Sequence, residues 1–325
     1  MRVDLVNDLR CPQSGEKLAL RPAKMLGNEV LDGVLISPIG AAYPIRRGVP
    51  CMTPSPDTFS FSFEWTLHSM DDLTWEMKIP ERLSLFWRYF NISPKEARGR
   101  RLLDAGCGNG TLSAALAKEG LEVFALDYST SVYRAFQKQL FDADAETLDR
   151  LHYIQGDVMQ APFADDSFDF VYSDGVLHHT PDTKAAFMAL ARKVRSNGQF
   201  FVWLYRKDLD PVARLKLTLV KLGRRVLKGI PHRGKLPLCY AGAAILLGRL
   251  KLMRLLGYRR REMIPLRLKA LNLFDTFSPT FNHEHTEEEV RGWFREAGFV
   301  TVRDVAYPEY RFNDEGVAIV GTRPG

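Results

Sequence analysis

Strand-like apolar segments alternate with helix-like segments between Arg101 and Leu204. Five segments rich in β-branched, leucine and aromatic residues predict strands: RRLLDAG, EVFALDY, LHYIQGD, FDFVYSD and GQFFVWLY. The intervening segments TLSAALAKEG, SVYRAFQKQL and TKAAFMALARKV have the apolar spacing of helices. Strands that alternate with helices in this way predict βαβ units around a parallel sheet.

A further helix and two strands are predicted at the end of the chain. Thr286 stands three residues before Glu289, which is the spacing of a capping box, and Gly298 lies where this helix would end. The strand-like segments VTVRDVAY and GVAIVGT follow, joined by a predicted turn at 313–316. Such a pair would add an antiparallel edge to the parallel sheet.

Local composition and residue pattern divide the chain into four segments. Residues 1–55 predict a small β-rich module, and residues 56–98 are rich in aromatic side chains and predict a covering segment. The alternating core comprises 99–205 and 286–325, and it is interrupted by a basic segment at 206–285 that predicts helices. We therefore expect an α/β protein with a helical insertion after its fifth core strand.

Composition excludes several classes of protein. A hydrophobic fraction of 46% and a charged fraction of 26% in 325 residues are typical of a globular chain and exclude disorder, collagen and a coiled coil. The longest uncharged runs, such as 236–248, are shorter than the roughly 20 residues of a membrane span, and no secretory signal is visible. The four cysteines are widely spaced, so we expect reduced thiols in a cytoplasmic protein.

Charge is distributed unevenly along the chain. The net charge is +6, but residues 206–269 carry 18 Lys/Arg against 3 Asp/Glu, a local +15. The remaining residues carry 27 Lys/Arg against 36 Asp/Glu, or −9. An asymmetry of this size bears on the partners of the protein rather than on its fold.

A glycine-rich loop carries the clearest chemical signal. In LLDAGCGNGTLSAALA a strand ends near Asp104, and Gly106, Gly108 and Gly110 follow at every second position before a helix begins. Glycines let the chain turn tightly and let a ligand approach the backbone amides at the helix N-terminus. Dinucleotide-binding domains, the alternative interpretation, usually have the spacing G-x-G-x-x-G, whereas Thr111 follows G-x-G-x-G here.

Two more predicted strands end in carboxylates. Asp127 follows the loop by about 20 residues, where a carboxylate accepts hydrogen bonds from ribose hydroxyls. Asp157 and Val158 follow the next strand. Because the carboxyl ends of parallel strands meet at one edge of a sheet, we expect these residues to converge on one crevice.

A fourth motif, Ser173, Asp174 and Gly175, follows the next predicted strand and continues into Val176-Leu177-His178-His179. These four motifs, in this order, resemble the class I S-adenosylmethionine-dependent methyltransferases, in particular the ubiquinone/menaquinone type. The resemblance covers about 99–204 and the last forty residues. It implies a Rossmann-like, doubly wound sheet with an antiparallel last strand, and S-adenosyl-L-methionine as cofactor. It implies that the loop binds the methionine part, Asp127 the ribose and Asp157 with Val158 the adenine. The cofactor-binding residues so implied are Asp104, Gly106, Cys107, Gly108, Gly110, Asp127, Tyr128, Asp157, Val158 and Ser173.

The N-terminal segment resembles the zinc-ribbon-like modules that accompany methyltransferases. Cys11 and Cys51 remain, but Ser14, Ser37 and Gly40 stand where cysteines would be expected. A tetrahedral zinc site needs four nitrogen or sulfur ligands. We therefore expect a degenerate module without metal.

A sulfonium methyl group is already electrophilic, so direct in-line transfer needs orientation and, for some acceptor atoms, a base. The candidate bases are His178 and His179, which follow the fourth core strand, and His285 with His283 before the capped helix. The alternative for each is a packing or capping role. Glu64, Trp65 and Trp75 are candidates for lining an acceptor pocket.

We therefore expect an enzyme that methylates a small-molecule or lipid-like acceptor. The basic segment 206–270 is interpreted as a contact with an anionic membrane surface, which would make the protein peripheral at the inner membrane face. An RNA methyltransferase using this segment, and a catalytically silent cofactor-binding protein, remain alternatives, as does a solvated helical cap; DNA is not expected.

Overall fold

The structure is a computed structural model. It describes residues 1–53, 62, 73–74, 77–208, 211–227, 229–257, 264–305 and 316–325, with only the backbone at 73–74, 211–217 and 219. The chain divides into two compact units. The first comprises the described residues within Met1–Asp57, Ile79–Asp208 and Phe281–Gly325, and the second those within Thr58–Lys78 and Leu209–Thr280.

The described residues form thirteen strands and ten α-helices. The strands are β1 (Ala19–Leu26), β2 (Glu29–Ile36), β3 (Ala42–Arg46), β4 (Val49–Pro50), β5 (Leu73–Thr74), β6 (Met77–Lys78), β7 (Arg101–Ala105), β8 (Glu122–Asp127), β9 (Leu151–Gln155), β10 (Phe168–Asp174), β11 (Val194–Tyr205), β12 (Thr301–Asp304) and β13 (Gly316–Thr322). The helices are α1 (Ile79–Phe90), α2 (Pro94–Ala97), α3 (Thr111–Lys118), α4 (Ser131–Asp142), α5 (Ala145–Asp149), α6 (Thr183–Ala191), α7 (Pro211–Leu227), α8 (His232–Leu255), α9 (Leu266–Phe277) and α10 (Glu287–Glu296). Short 3-10 helices span Val3–Asn7, Val158–Gln160 and Leu177–His179.

Seven strands build the central sheet of the first unit, in the order β12-β13-β11-β10-β7-β8-β9. Strands β7 to β11 run parallel, whereas β13 is antiparallel to both of its neighbours. All five predicted core strands and the intervening helices are present. The predicted Rossmann-like α/β fold, with an antiparallel last strand and helices after the fifth core strand, is confirmed.

Aromatic side chains fill the interior of the first unit. Phe124 on β8 and Phe168 on β10 are fully buried, and their rings pack edge to face at 5.2 Å. On the same face of the sheet, Phe200 of β11 stacks on Phe187 of α6 at 4.9 Å. The helix α10 begins with the predicted capping box, in which Thr286 and Glu289 exchange hydrogen bonds, and Gly298 follows its end with a φ of 83°. Burial of apolar surface by these rings is the main source of stability in this unit.

The N-terminal segment is an antiparallel sheet of four strands, β1 to β4, which agrees with the predicted β-rich module. Its apolar residues Leu5 and Leu9 belong to the same buried cluster as Ile154 and Phe163 of the central unit. The backbone also pairs Cys51 with Gln155 at the end of β9. The module therefore shares the hydrophobic core of the first unit rather than forming one of its own.

The cysteines of this module lie among protein groups. Sγ of Cys11 lies 3.2 Å from the hydroxyl of Tyr43, and Sγ of Cys51 donates to the carbonyl of Thr53. Burial raises the pKa of the Cys11 thiol, but hydrogen bonds with Ser14 and Tyr43 outweigh that effect. The pKa of Cys11 is therefore lowered to about 7. Within the described residues there is no group of three or more side chains arranged to hold a metal ion. All four cysteines are described, and none is in a disulfide.

The second unit is mainly helical, with the strands β5 and β6 paired antiparallel. Helix α7 matches the helix predicted from the basic segment, and α8 packs against α9 through a small core of Cys239, Ala243, Ala270 and Phe274. By length and hydropathy, α8 is the one helix among the described residues that could cross a membrane. Only 17% of its most apolar 18-residue stretch is buried.

Two sequence predictions lie wholly or largely outside the described residues. Glu64, Trp65 and Trp75, proposed to line an acceptor pocket, are not among them, and neither is most of the predicted turn at 313–316. The division of the chain into four functional segments stays a prediction.

Candidate cofactor-binding site

The glycine-rich loop connects β7 to α3 and is fastened to the neighbouring strand. The amides of Gly106 and Cys107 both donate to the carbonyl of Leu126, at 2.7 and 3.1 Å. Gly106, Gly108 and Gly110 have φ values of 95°, 58° and 69°. Gly110 is the N-cap of α3 and provides no side-chain cap. The first turn of α3 therefore presents backbone N–H groups to the loop, as the sequence predicts.

Two of these glycines are required by close packing as well as by backbone conformation. A Cβ atom on Gly106 would lie 2.2 Å from Cγ2 of Val176, and one on Gly110 would lie 2.5 Å from Cε1 of Tyr153. Both distances are far below van der Waals contact. The hydroxyl of Tyr153 also donates to the carbonyl of Gly110 at 3.2 Å. The loop is thus held between the ends of β9 and β10.

Asp104, on β7 just before the loop, is a buried carboxylate with a partner on α3. Its side chain accepts a hydrogen bond of 2.6 Å from the hydroxyl of Ser113. Burial raises the pKa of Asp104 to about 6, and the Ser113 bond opposes that rise. The carboxylate is therefore partly protonated near pH 6 in the folded protein.

Asp127, at the end of β8, contacts the glycine loop directly. One carboxylate oxygen accepts from the amide of Gly108 at 2.8 Å. The other accepts from the amide and the hydroxyl of Ser129, at 2.8 and 2.5 Å. Burial raises the pKa of Asp127 in spite of these three donors. The structure thus brings together the glycine-rich loop and Asp127.

The end of β9 joins the same group of strand ends. The amide of Gly156 donates to the carbonyl of Asp127 at 2.9 Å. Asp157 caps the 3-10 helix that begins at Val158 by accepting from the amide of Met159 at 2.8 Å, and burial raises its pKa. The carbonyl of Tyr128 accepts from the side chain of Gln155 at 3.1 Å. The predicted convergence of three strand ends is therefore present in the backbone.

The end of β10 combines predicted residues with partners that the sequence analysis did not identify, Tyr172 and Arg82. The hydroxyl of Ser173 donates to the carbonyl of Ala105 at 3.0 Å, so this predicted cofactor residue ties β10 to β7. Asp174 accepts a 2.8 Å bond from the Tyr172 hydroxyl and forms an ion pair of 3.9 Å with Arg82 of α1. Arg82 also acts on Asp104 electrostatically, lowering its pKa against the effect of burial. No motif around Arg82 could have signalled this role, because α1 comes to the site only through tertiary packing.

All four candidate histidines lie close to one another. His178 is fully buried, and its ring lies 4.0 Å from that of Tyr205 and 4.2 Å from that of His179. The amide of His283 donates to the carbonyl of His178, and the rings of His283 and His285 are 6.4 Å apart. The structure thus brings together side chains from two distant parts of the sequence.

Two of these histidines have a defined protonation preference. The carbonyl of Phe281 lies 3.0 Å from Nδ1 of His179. Since a carbonyl can only accept, Nδ1 carries the proton and Nε2 the lone pair of the neutral ring. Burial lowers the pKa of His285, so its ring is neutral at pH 7. The His285 ring is consequently in the form that can accept a proton, and in a neutral His179 ring the accepting atom is Nε2.

The geometry defines a class of site. Backbone N–H groups at the N-terminus of α3, the buried carboxylates of Asp104 and Asp127 and the half-buried carboxylate of Asp157 lie at the strand ends around the glycine-rich loop. Such an arrangement is suited to a small ligand that presents hydroxyl and cationic groups.

Comparison with known proteins agrees with this chemistry. Residues 103–202 match the family model described as "Methyltransferase domain". The chain is 28% identical over 134 residues to the ubiquinone/menaquinone biosynthesis C-methyltransferase UbiE of Vibrio vulnificus, covering 40% of this chain and 51% of that protein. It is 34% identical over 104 residues to the demethylmenaquinone methyltransferase of Renibacterium salmoninarum, covering 32% and 40%. The chain thus spans about half the length of the curated relatives it matches, or less.

Among solved structures, the fold is similar to that of magnesium protoporphyrin IX methyltransferase from Synechocystis, solved with bound SAH. The TM-score is 0.47 at 17% identity, covering 80% of this chain and 93% of that one. The family match alone identifies residues 103–202 as a methyltransferase domain. The predicted class of enzyme and its cofactor are confirmed for this domain.

Proposed function

We propose that the protein transfers a methyl group from S-adenosyl-L-methionine to a small-molecule or lipid-like acceptor. The observation that carries this proposal is the contact between the Asp127 carboxylate and the Gly108 amide. It joins an acidic strand end to a loop that side chains would block. A cofactor with a ribose and a cationic sulfonium needs both features in one place.

Each part of the cofactor has residues that fit it. The loop and Asp104 suit the methionine part, because the loop offers amide donors and the buried carboxylate favours a nearby positive charge. Asp127 suits the ribose hydroxyls, and Asp157 with Val158 suits the adenine. The whole proposed set is Asp104, Gly106, Cys107, Gly108, Gly110, Asp127, Tyr128, Asp157, Val158 and Ser173. The hydroxyl of Ser173 is bonded to Ala105, so its proposed role is to hold the strand end in place.

When bound, the cofactor supplies an electrophilic methyl group that needs no metal for transfer. The protein would hold the acceptor in line with the sulfur–methyl bond and exclude water. For a hydroxyl acceptor, a neutral histidine would take the proton. His179, with its lone pair on Nε2, is the first candidate, and His178 and His285 are the others.

The acceptor class is supported by the names of the relatives. Two of them are named as a methyltransferase of ubiquinone/menaquinone biosynthesis and a demethylmenaquinone methyltransferase, so their names point to quinone-type acceptors. We therefore propose a lipid-like acceptor before a polar metabolite, and RNA after both. Incubating the protein with methyl-labelled cofactor and cell extract, followed by extraction with an organic solvent, tests this order. Label in the organic phase would support a lipid-like acceptor. Label entering only RNA would show that the alternative is right.

Calorimetry with S-adenosyl-L-methionine and its demethylated product tests cofactor binding. We expect Gly106→Ala to weaken binding more than about 100-fold, because the new Cβ would meet Val176. Gly15→Ala is the matched control, since Gly15 also has a positive φ but has nothing within 4 Å of the added atom. Asp127→Asn keeps the shape of the side chain and should weaken binding about 10- to 100-fold. Binding of a nicotinamide nucleotide instead of the sulfonium compound would refute the proposal.

His179→Ala and His178→Ala test the base. Once an acceptor is identified, we expect His179→Ala to lower kcat about 100-fold or more while cofactor affinity is kept. Full activity of both variants on that acceptor would show that neither ring takes a proton.

A further inference from the structure

Helix α8 of the second unit has two apolar faces, and only one of them is buried. Cys239, Ala243 and Leu247 recur every fourth residue and are buried. Cys239 and Ala243 pack in the core that α8 shares with α9. On another face, Leu238, Ile245 and Leu252 recur every seventh residue and are 49%, 73% and 58% exposed. At 100° per residue these three side chains lie within about 40° of one another and form a continuous stripe along the helix. We call this set the exposed stripe.

No charged residue stands between Leu238 and Gly248, and Arg249 and Lys251 precede Leu252. Ala241, Ala244 and Gly248 are exposed and uncharged. Leu255 and Leu256 continue the apolar surface at the end of the helix, at 85% and 67% exposure. A soluble surface rarely gathers so many large apolar side chains without a partner.

An apolar groove opens beside the stripe. It has a volume of about 310 Å³ and is formed by residues of α7, α8 and α9, among them Leu227, Leu246, Leu273 and Phe277. Leu238 and Ile245 of the stripe also line it. The groove and the stripe therefore form one continuous apolar surface within the second unit.

The sequence that contains this surface is strongly basic. Residues 211–257 contain no Asp or Glu and eleven Lys or Arg: Arg214, Lys216, Lys221, Arg224, Arg225, Lys228, Arg233, Lys235, Arg249, Lys251 and Arg254. On the helix, Arg249 lies about 40° to one side of Ile245, and Arg233 and Lys251 lie about 120° to the other. All three are exposed. An apolar face with cations along both margins is the arrangement of helices that lie in the headgroup region of a bilayer.

The helix is better suited to lying on a membrane than to crossing it. Its uncharged run, 236–248, measures about 20 Å at 1.5 Å per residue, against about 30 Å of hydrocarbon. Its opposite face is already used by the core of the second unit. A grip on RNA would explain the cations but not the exposed leucine and isoleucine, and stacking aromatic side chains are missing from the described part of the stripe.

We propose that α8 docks the protein on the surface of an anionic membrane. The exposed stripe enters the acyl-chain boundary, and the arginines and lysines at its margins bind lipid phosphates. The groove accepts part of an acyl chain. This proposal does not depend on methyl transfer, and it places the protein where a lipid-like acceptor would be found.

Sedimentation of the full chain with vesicles tests the docking. We expect binding to vesicles of phosphatidylcholine with phosphatidylglycerol, and at least about 10-fold weaker binding to phosphatidylcholine alone. Replacing all three of Arg249, Lys251 and Arg254 by glutamine in one variant should weaken binding to the anionic vesicles about 100-fold. The matched control replaces Arg98, Lys184 and Arg295, three cations of the first unit in exposed ion pairs, and should bind as the wild type does.

The apolar part of the surface is tested separately. Ile245→Glu with Leu252→Glu should weaken vesicle binding more than about 100-fold, because two charges would enter the acyl boundary. The matched control, Phe141→Glu with Val300→Glu, changes two side chains that are 88% and 68% exposed in the first unit and should have no effect. Calorimetry with S-adenosyl-L-methionine on the same samples reports folding and the cofactor site independently.

Three results would overturn the docking proposal. They are equal binding to neutral and anionic vesicles, equal losses in the stripe variants and their controls, and failure to sediment with vesicles while RNA is retained in a salt-sensitive manner.

Discussion

The carboxyl end of the central sheet and the exposed stripe of α8 are opposite in charge and in burial. At the sheet edge, Asp104 and Asp127 are buried and hydrogen-bonded by Ser113, Gly108 and Ser129. On α8, leucine and isoleucine face solvent between arginines and lysines. The carboxylates of the first region have hydrogen-bond donors from the protein itself, whereas the apolar side chains of the second region are exposed to solvent.

This difference indicates two kinds of recognition. A site with fixed donors and acceptors selects a small ligand by position, because each hydrogen bond must be replaced by an equivalent one. A surface that combines apolar area and scattered charge selects a phase boundary and tolerates changes in position. The following experiments measure how far the two regions differ, from the largest effect on stability to the smallest.

Core packing is expected to be the largest difference. Phe124→Ala should lower the free energy of unfolding by about 4 kcal/mol, because Phe124 is fully buried and its removal leaves a cavity. Phe141→Ala, on an 88% exposed side chain, should change it by less than about 0.5 kcal/mol. Urea unfolding measures both. A similar small loss in both variants would mean that the core around β8 is loosely packed.

The buried carboxylate should make stability depend on pH. The pKa of Asp104 is raised to about 6, so the folded state holds this proton more tightly than the unfolded state does. Its contribution to the free energy of unfolding should therefore decline by about 2 kcal/mol as pH rises from 4 to 7. The side chain in Asp104→Asn does not titrate. The free energy of unfolding of this variant should therefore rise by that amount, relative to the wild type, between pH 4 and pH 7. A difference between the two proteins that is independent of pH would show that Asp104 is accessible to water.

Helix capping distinguishes the two units on a smaller scale. Thr286 caps α10 in the first unit through a capping box, whereas α8 and α9 begin after Pro231 and Pro265 without side-chain caps. Thr286→Ala should lower the free energy of unfolding by about 1 kcal/mol. Thr286→Ser keeps the hydroxyl and should restore most of the stability. Equal losses in both variants would attribute the effect to the methyl group instead.

The exposed stripe should matter least for folding. Ile245→Ala is expected to change the free energy of unfolding by less than about 0.5 kcal/mol, because the side chain is 73% exposed. A loss above about 1 kcal/mol in thermal or urea unfolding would mean that Ile245 is covered in solution.

Much of the cofactor edge was predictable because its signals are local. The spacing of Gly106, Gly108 and Gly110 reports a backbone conformation, and the apolar pattern of each strand reports where it ends. Parallel strands then bring Asp127 and Asp157 to the same edge as the loop. The partners of these groups were not predictable, because Ser113, Tyr153 and Arg82 carry no motif and meet the loop only after packing. The roles predicted for the site residues and the histidines stay predictions until they are measured.

The sequence by itself determined the α/β architecture, the glycine loop, the capped last helix and the concentration of positive charge after the fifth core strand. Each of these depends on neighbouring residues, whose conformational preferences and charges are visible without the fold. Only the tertiary structure decided that the N-terminal module shares the central core, that Arg82 faces Asp174, and that Leu238, Ile245 and Leu252 remain exposed while Cys239 and Ala243 are buried. The reason is that burial is a property of the neighbours a side chain acquires on folding, and residues far apart in the chain supply those neighbours.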